Sequence, residues 1–452
     1  MENVEQAVER ESGLHRSLTS GQLSMIAIGG AIGTGLFLGS AFAIGLAGPS
    51  VLVSYTIGGL ITLMLMGCLA EMTVAHPSSG SFGLFAELYV GPLAGFLVRY
   101  AYLSGVMLAI GTEVTAVAIY MKYWFPGAPG WWWVLSFSAV LVGVNASSVR
   151  TFGVVEYTFS LVKIAAIVGF ILLGTFVLFD AGPGSGIGFA NYTAHDGFLP
   201  NGLWGMWVAV IVAIFSYISI EMIAVAAGEA KDPERAITSA FRATMFRLAF
   251  FYIATLALML AIVPWPAAGA SGSPFVTVMA ATGVPVAAGV INFVILVAAL
   301  SAMNSQLYAA TRMLFSLSRA GFASPRLGRL NRRGVPVAAL LVSTGGIAVA
   351  AIVQVLIPET AFTWMISVAI FGAMTTWLMI FVTHLFFRRR EGRPERGFRM
   401  WGFPYTSLAG AGLMAAIMLT TLFTAEFRMT LLVGLPLLAA LTGLYFWRYR
   451  RA

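Results

Sequence analysis

The sequence predicts an all-α membrane protein with twelve transmembrane helices. Of its 452 residues, 59% are hydrophobic and only 10% are charged, whereas a soluble domain has about 25% charged residues. Apolar runs of about twenty residues, each able to cross the ~30 Å hydrocarbon core as a helix, recur along the chain. Because lipid offers the backbone no hydrogen-bond partner and the runs lack the alternation of barrel strands, the spans are predicted to be helices.

Twelve spans follow when the apolar runs are separated at loop signals. They cover residues 22–47, 50–75, 93–121, 131–149, 154–179, 204–229, 238–264, 284–317, 335–357, 360–387, 404–424 and 428–447. The stretch 1–20 contains four glutamates and no apolar core, so it is predicted to be a cytoplasmic tail rather than a cleavable signal. An even number of spans places both termini on one side of the membrane.

The basic residues support this topology, because Lys and Arg in short loops stay on the cytoplasmic side. With both termini inside, all of the 26 basic residues except Lys122, Lys163 and Arg428 fall in inner loops, tails or span ends. The net charge of +8 therefore reflects topology and contact with anionic lipid headgroups, and no nucleic-acid partner is predicted. Cys68 is the only cysteine, which excludes an intramolecular disulfide and a cysteine cluster for a metal.

The first span, IAIGGAIGTGLFLGSAFAIGLAG, holds seven glycines, each costing up to ~1 kcal/mol of helix stability relative to alanine. One interpretation is close helix packing, since small residues let backbones touch in lipid. The other is a broken helix, whose freed N–H groups suit the carboxylate of a ligand and whose freed carbonyls suit an ammonium group. Composition alone does not decide between the two.

Four motifs, in this order along the chain, carry a resemblance to a known family. They are IGTGLFLGS in the first span, AEMTVAHPSSGSF from Ala70, IEMIAVAAGEAKDPERAI from Ile220 and NSQLYAATRMLFSLSRAG from Asn304. Together they resemble the bacterial amino acid permeases of the amino acid, polyamine and organocation superfamily, and in particular its proton-coupled transporters. The resemblance implies a leucine transporter-like fold of two inverted five-helix repeats, residues 21–180 and 200–390, with helices 1 and 6 discontinuous. Two further helices lie in residues 400–448.

The same resemblance implies a substrate site at the two discontinuous helices. Amides of Gly33, Thr34 and Gly35 would bind the substrate carboxylate. Carbonyls near its ammonium group would come from Ala31, Phe215, Ser216 and Ile218.

Some details of this site stay open. Phe215 resembles the aromatic residue that closes over the substrate, although simple packing is the alternative. Relatives usually have glycine where this chain has Ser219 and a smaller or polar residue in place of Ile220, which leaves the exact break open and suggests a tighter pocket. Met107 and Asn304 are candidates for the side-chain part of the pocket by position, with packing as the alternative.

Lys163 is the basic residue predicted to lie within the membrane. It stands about nine residues from the inner end of its span, or roughly 14 Å at 1.5 Å per residue, too far for its amine to reach the headgroups. A buried ionisable group is a functional candidate, because loss of hydration makes proton exchange physically possible. By the resemblance, its amine lies where sodium-driven members hold sodium, which predicts proton coupling; a structural strut is the alternative.

Acidic residues also fall within the spans. Glu221 follows the expected break in the sixth span and either senses protonation or braces the backbone. Glu113 either lines the pocket or pairs with a hydroxyl group of a neighbouring helix, and the hydroxyl is favoured. Glu71, Glu156 and Glu229 stand near inner ends, where solvated or helix-end charges are expected and gate contacts are the alternative.

These observations predict a secondary active transporter of a bacterial inner membrane. It would import neutral α-amino acids by proton symport with alternating access, using no cofactor or metal, and its oligomeric state is left open. Exchange, or transport of cationic amino acids, γ-aminobutyrate or polyamines, is the alternative within transport, and an amino acid sensor is the alternative outside it. An intramembrane enzyme is disfavoured, because no HExxH motif and no paired aspartates occur on one apolar helix.

Overall fold

The computed structural model describes residues 4–182, 185–270, 273–281, 287–357, 361–392 and 397–449. Those residues form α-helices and short turns, and no strand is found among them. The helices are α1 (Val4–Arg10), α2 (Ser20–Ala31), α3 (Thr34–Phe37), α4 (Gly39–Ala47), α5 (Val51–Ala75), α6 (Ser81–Tyr89), α7 (Pro92–Met121), α8 (Gly130–Ser147), α9 (Val149–Asp180), α10 (Gly202–Tyr217), α11 (Met222–Ala226), α12 (Pro233–Ile262), α13 (Trp265–Ala268), α14 (Pro274–Ala281), α15 (Ala287–Arg319), α16 (Val337–Ser343), α17 (Gly345–Leu356), α18 (Ala361–Glu391), α19 (Tyr405–Thr420) and α20 (Arg428–Tyr449).

Ten helical stretches in the described part of the chain are long and apolar enough to cross a membrane. Two predicted spans are not among them. The predicted span at 131–149 corresponds to the 18-residue α8, which has three tryptophans in its first turn. The predicted span at 335–357 corresponds to the shorter apolar stretch Val337–Val353, which is divided at Thr344. The multi-pass helical architecture is confirmed, while the count of twelve and the inverted repeat stay predictions.

The first predicted span is divided into three helices. A capping box between Thr19 and Gln22 starts α2, and α2 ends where Ile32 and Gly33 leave the helical conformation. Gly33 is extended, with φ −126° and ψ −151°, and the chain becomes helical again at Thr34. Gly48, at φ +59°, ends α4 in a conformation that favours glycine and turns the chain into α5.

The sixth predicted span is interrupted between α10 and α11. Tyr217 ends α10, Ile218 is extended with φ −57° and ψ 152°, and helix resumes at Met222. Ser219 within this break has φ +76°, a left-handed conformation that glycine adopts without steric cost. This conformation explains why a glycine is expected at the Ser219 position.

We expect Ser219→Gly to stabilise the protein by roughly 1 kcal/mol, because it removes the Cβ that makes a left-handed residue unfavourable. Chemical denaturation of the purified protein in detergent measures the change in free energy. The control is Ser216→Gly, which lies within α10 and is expected to destabilise instead. A loss of stability in Ser219→Gly would contradict the argument from strain.

Helix packing surrounds the two breaks with long helices. The segment α2 packs against α9, α12 and α15, while α10 packs against α4 and α5. The long helix α7 packs against α15, α17 and α18. The interrupted backbone therefore lies next to helices α7, α9, α12 and α15, each of which supplies a buried polar side chain to it.

Candidate functional site

The two breaks contact each other through glycine. A Cβ atom added to Gly35 would lie 2.7 Å from the Cα of Ser216, and one added to Gly30 would lie 3.0 Å from the Cβ of Ser219. Gly33 faces α15 in the same way, because an added Cβ would lie 2.8 Å from that of Ala302. A side chain at Gly33 or Gly35 would therefore force its neighbours to move, and one at Gly30 would be tight.

The amide end of the first break faces a carboxylate. The first amides of α3 lack acceptors within their own helix. The backbone N–H of Thr34 donates to Glu113 Oε2 at 3.3 Å, and its hydroxyl donates to Oε1 at 3.0 Å. Both residues are buried, so the carboxylate and the amide meet away from water. This contact is the hydroxyl pairing that was favoured for Glu113.

A tyrosine covers the carbonyl end of the two breaks. The hydroxyl of Tyr252, on α12, lies 2.6 Å from the carbonyl oxygen of Ser216 and 2.9 Å from that of Ala31, and its single hydrogen is shared between these two acceptors. Tyr55 lies 2.9 Å from the Ser216 hydroxyl. Sequence reasoning missed Tyr252, although a tyrosine in an apolar span signals a buried hydroxyl that needs a partner.

Lys163 joins the first break to α15. Its fully buried ammonium group donates to the carbonyl oxygens of Gly29 at 2.5 Å and Ile32 at 3.0 Å, and to the hydroxyl of Ser301 at 2.8 Å. An ammonium group has three donors, and these contacts use all three. Lys163 therefore holds the carbonyl end of α2 in its interrupted conformation.

Glu156 extends this network along α9 and corrects the sequence prediction. It is completely buried, where a solvated or helix-end charge was expected. The Ser301 hydroxyl donates to its Oε1, and the side-chain amide of Asn304 donates to its Oε2 at 2.8 Å. Asn145 donates to the Asn304 side-chain oxygen at 2.7 Å. The amide of Asn304 is thus bound within this network.

Glu221 braces the second break. Its Oε1 accepts from the backbone N–H of Ser219 at 3.2 Å, and its Oε2 accepts from the indole N–H of Trp377 at 3.1 Å. A buried backbone N–H in an irregular segment needs such an acceptor. The contacts match the bracing role considered for Glu221.

The remaining predicted site residues divide into two groups. Phe215 and Ile218 lie at the second break and are each 6% exposed, and Phe215 faces Gly35. Met107 instead lies against α17, where its main chain and side chain contact Gly346 and Gly345. The structure brings the predicted backbone residues together and places Met107 in a helix contact.

Buried ion pairs lie at one end of the helix bundle. We call this end the tail face and define it by the segment Val4–Leu18 and by Ala230. Leu18 and Ala230 form a short backbone bridge there. Glu229 pairs with Arg312 at 2.8 Å and accepts from the Tyr308 hydroxyl at 2.6 Å. The expectation of solvated charge is therefore wrong for Glu229.

Glu71 departs from the same expectation. It is buried, it forms an ion pair with Arg388, and it accepts from the backbone N–H of Met400 at 2.7 Å. The partners of Glu71, Glu156 and Glu229 all lie on distant parts of the chain. None of the three acidic groups is a simple solvated charge.

The N-terminal tail is fixed to the bundle by Glu11. Glu11 pairs with Arg99 at 2.9 Å, and neither side chain is exposed. Arg99 also pairs with Glu87 at 2.7 Å, and the hydroxyl of Ser316 donates to Glu11 at 2.8 Å. The tail, predicted only as a cytoplasmic extension, is thus packed on the bundle as part of the tail face.

We expect Glu11→Ala to release the tail, because removing one partner of a buried ion pair costs about 3–5 kcal/mol. Hydrogen exchange of the backbone amides of residues 4–18 measures the release as faster exchange. Glu9→Ala, at an exposed position near the end of α1 and two residues before Glu11, is the matched control and leaves the exchange unchanged. Equal exchange in both variants would show that Glu11 does not hold the tail.

The fold and the site together define a class: a multi-pass helical membrane protein with a buried polar centre between two interrupted helices. A profile of the family described as amino acid permease matches residues 22–451. The chain therefore belongs to the amino acid permease family.

Relatives in Bacillus subtilis (strain 168) support this assignment. An uncharacterized amino acid permease, YtnA, is 38% identical over 427 residues, covering 93% of this chain and 92% of the relative. The amino-acid permease RocC is 37% identical over 94% of this chain and 93% of its own length. A gamma-aminobutyric acid permease is 36% identical over 94% of this chain and 92% of its own length.

Proposed function

We propose that the protein is a secondary active transporter that imports amino acids across the bacterial inner membrane by proton symport with alternating access. The observation that carries the proposal is the polarity of the paired breaks. A carboxylate, that of Glu113, lies on the Thr34 amide, and a hydroxyl donor, that of Tyr252, lies on the carbonyl oxygens of Ala31 and Ser216. A zwitterionic amino acid likewise carries a carboxylate, which can accept from the amide end, and an ammonium group, which can donate to the carbonyl end.

The proposed binding residues follow from this polarity. The substrate carboxylate would accept hydrogen bonds from the amides of Gly33, Thr34 and Gly35 and displace Glu113. The substrate ammonium would donate to the carbonyl oxygens that now bind the Tyr252 hydroxyl. Phe215 and Ile218 add apolar side chains beside the breaks, which favours a small or medium neutral side chain.

Proton coupling is proposed to run through Lys163. Its amine donates hydrogen bonds to the carbonyl oxygens of Gly29 and Ile32 and to the Ser301 hydroxyl, so these oxygens are not free to bind sodium. Loss of the proton would remove the charge that holds these acceptors and loosen α2 against α15. Glu113 and Glu221 are the other proposed proton-sensitive groups, because both carboxylates contact the breaks directly.

A second substrate class has a specific observation in its favour. One relative is named a gamma-aminobutyric acid permease, and this chain matches it at 36% identity. γ-Aminobutyrate carries the same two charged groups at a greater separation. The two breaks can bind γ-aminobutyrate only if the amides that bind its carboxylate and the carbonyl oxygens that bind its ammonium group are far enough apart.

Uptake into proteoliposomes tests the proposal. Purified protein is reconstituted, a pH gradient or a sodium gradient is imposed, and a panel of radiolabelled amino acids that includes γ-aminobutyrate is offered. Accumulation of a neutral α-amino acid with the pH gradient alone is expected. Counterflow without accumulation would indicate an exchanger, and binding without flux would indicate a sensor.

The proposed orientation has both termini in the cytoplasm, so that the tail face is the inner face. The distribution of basic residues favours it. Cysteine substitutions in the exposed residues Glu9 and Lys122, made in a Cys68→Ala background, report it by labelling with an impermeant reagent in intact cells. Labelling at position 122 but not at position 9 is expected.

A further inference from the structure

A continuous chain of hydrogen bonds leads from Lys163 to a second ionisable group. The Lys163 ammonium donates to the Ser301 hydroxyl, and the Ser301 hydroxyl donates to Glu156. We propose that Glu156 is the proton-exchange partner of Lys163 and that Ser301 relays the proton between them. The inference rests on the proposed proton coupling and adds to it the route that the proton takes.

Helix geometry aligns the two ionisable residues. Lys163 and Glu156 are seven residues apart in α9, close to two turns at 3.6 residues per turn, so their side chains lie on the same face. Ser301, on α15, spans the space between the two side chains. All three residues are completely buried, so water does not compete for these bonds.

The chemistry of the groups fixes the direction of the chain. A charged ammonium has no acceptor, so it can only donate to Ser301 Oγ. Oγ then directs its own hydrogen to Glu156, because an ionised carboxylate can only accept. Every donor in the chain thus points from Lys163 towards Glu156.

The proton step balances without any further reactant. The N–H bond of Lys163 breaks as a new O–H bond forms on Ser301, while the original O–H bond of Ser301 breaks as an O–H bond forms on Glu156 Oε1. Lysine ends as a neutral amine, glutamate ends as a neutral carboxyl, and the serine is unchanged. The step removes two opposite buried charges, each of which is costly in a dry interior.

A packed layer of side chains separates Glu156 from the tail face. Gly153, one turn earlier in α9, is so close to Leu18 of the tail that an added Cβ would lie 2.9 Å from its side chain. Phe152 stacks on Tyr308 with ring centroids 4.3 Å apart, and the Tyr308 hydroxyl binds Glu229. Opening of this layer would expose Glu156 before Lys163.

Lys163 has a second carboxylate in its neighbourhood besides Glu156. Two carboxylates lie beside the backbone of the first break: that of Glu156, from the same helix as Lys163, and that of Glu113, from α7. Glu113 is bonded to Thr34 at the amide end of the break. Glu156 is the one that the Ser301 hydroxyl connects to Lys163.

Ser301 variants test the relay without removing a charge. In Ser301→Ala we expect pH-gradient-driven accumulation in proteoliposomes to fall to nearly equal substrate concentrations on the two sides, while counterflow exchange stays near that of the parent protein. Ser301→Thr keeps the hydroxyl and is expected to restore accumulation. Thr311→Val, which removes a buried hydroxyl of the same helix that bonds Leu307 and Ser343, is the matched control and leaves accumulation unchanged.

Glu156→Gln tests the acceptor itself, because it keeps the shape of the side chain but cannot take the proton. We expect substrate-driven proton entry, followed with a pH-sensitive dye inside the vesicles, to disappear while counterflow persists. Loss of counterflow together with proton entry would assign Glu156 to binding or folding and overturn the relay. Failure of Ser301→Thr alongside Ser301→Ala would overturn it as well.

The outcomes separate this inference from the proposed function. If Ser301→Ala and Glu156→Gln accumulate substrate like the parent protein while Lys163→Ala does not, the relay is wrong and the coupling role of Lys163 stands. If the parent protein shows no accumulation with a pH gradient, proton symport itself is wrong, and the relay falls with it.

Discussion

Replacing Lys163 with alanine is expected to abolish accumulation of substrate driven by a pH gradient. A gradient of one pH unit supplies about 1.4 kcal/mol per proton, enough for about tenfold accumulation by a one-to-one symporter. Without the amine, the carbonyl oxygens of Gly29 and Ile32 lose their buried donor, and substrate flux is no longer tied to a proton. Radiolabelled uptake at steady state would then stop at equal concentrations on both sides.

Lys163→Arg separates coupling from a structural strut. Arginine keeps the positive charge and several donors, but its guanidinium does not release a proton in proteins. A strut predicts that the arginine variant accumulates substrate, whereas coupling predicts that it fails as the alanine variant does. Lys122→Ala, at an exposed position, is the control for loss of a lysine. Full accumulation by Lys163→Ala would remove this residue from the mechanism.

The depth of Lys163 could be predicted from the sequence, but its partners could not. Its distance from the span ends is a property of the span itself, which the apolar run defines. Gly29 and Ser301, in contrast, lie 134 and 138 residues away along the chain. Those contacts depend on how α2, α9 and α15 pack, and hydrophobicity alone does not specify that arrangement.

The acidic residues near span ends show why the sequence interpretation failed in part. Position along a helix indicates how far a group is from the predicted membrane surface, and the prediction for Glu156 and Glu229 depends on that distance alone. Burial depends instead on what covers that end of the bundle. Glu229 is covered by Arg312, and Glu156 is bound by Ser301 and Asn304 of α15. All three partners are distant in sequence, so the position of the acids along their own helices does not predict them.

The interruption of the first span was easier to anticipate than that of the sixth. Its glycine cluster weakens the helix wherever it is placed, so a break was one of two interpretations before any fold was known. The sixth span has Ser219 at the critical position and no glycine between 206 and 227. There, tertiary partners such as Glu221 and Trp377 stabilise a backbone conformation that local propensity does not favour.

Gly35→Ala is expected to weaken substrate binding by about 10- to 100-fold, in line with the 1–3 kcal/mol cost of overpacking a tight contact. The added Cβ would lie 2.7 Å from the Cα of Ser216, where only backbone movement can relieve the clash, so the two breaks must separate. Gly39→Ala is the matched control, because its Cβ would meet Val212 at an ordinary 3.5 Å. Ligand binding to both detergent-purified variants, with membrane insertion checked separately, measures the effect. Unchanged affinity in Gly35→Ala would place the substrate carboxylate away from these amides, because a site built from them cannot keep its geometry once the breaks move apart.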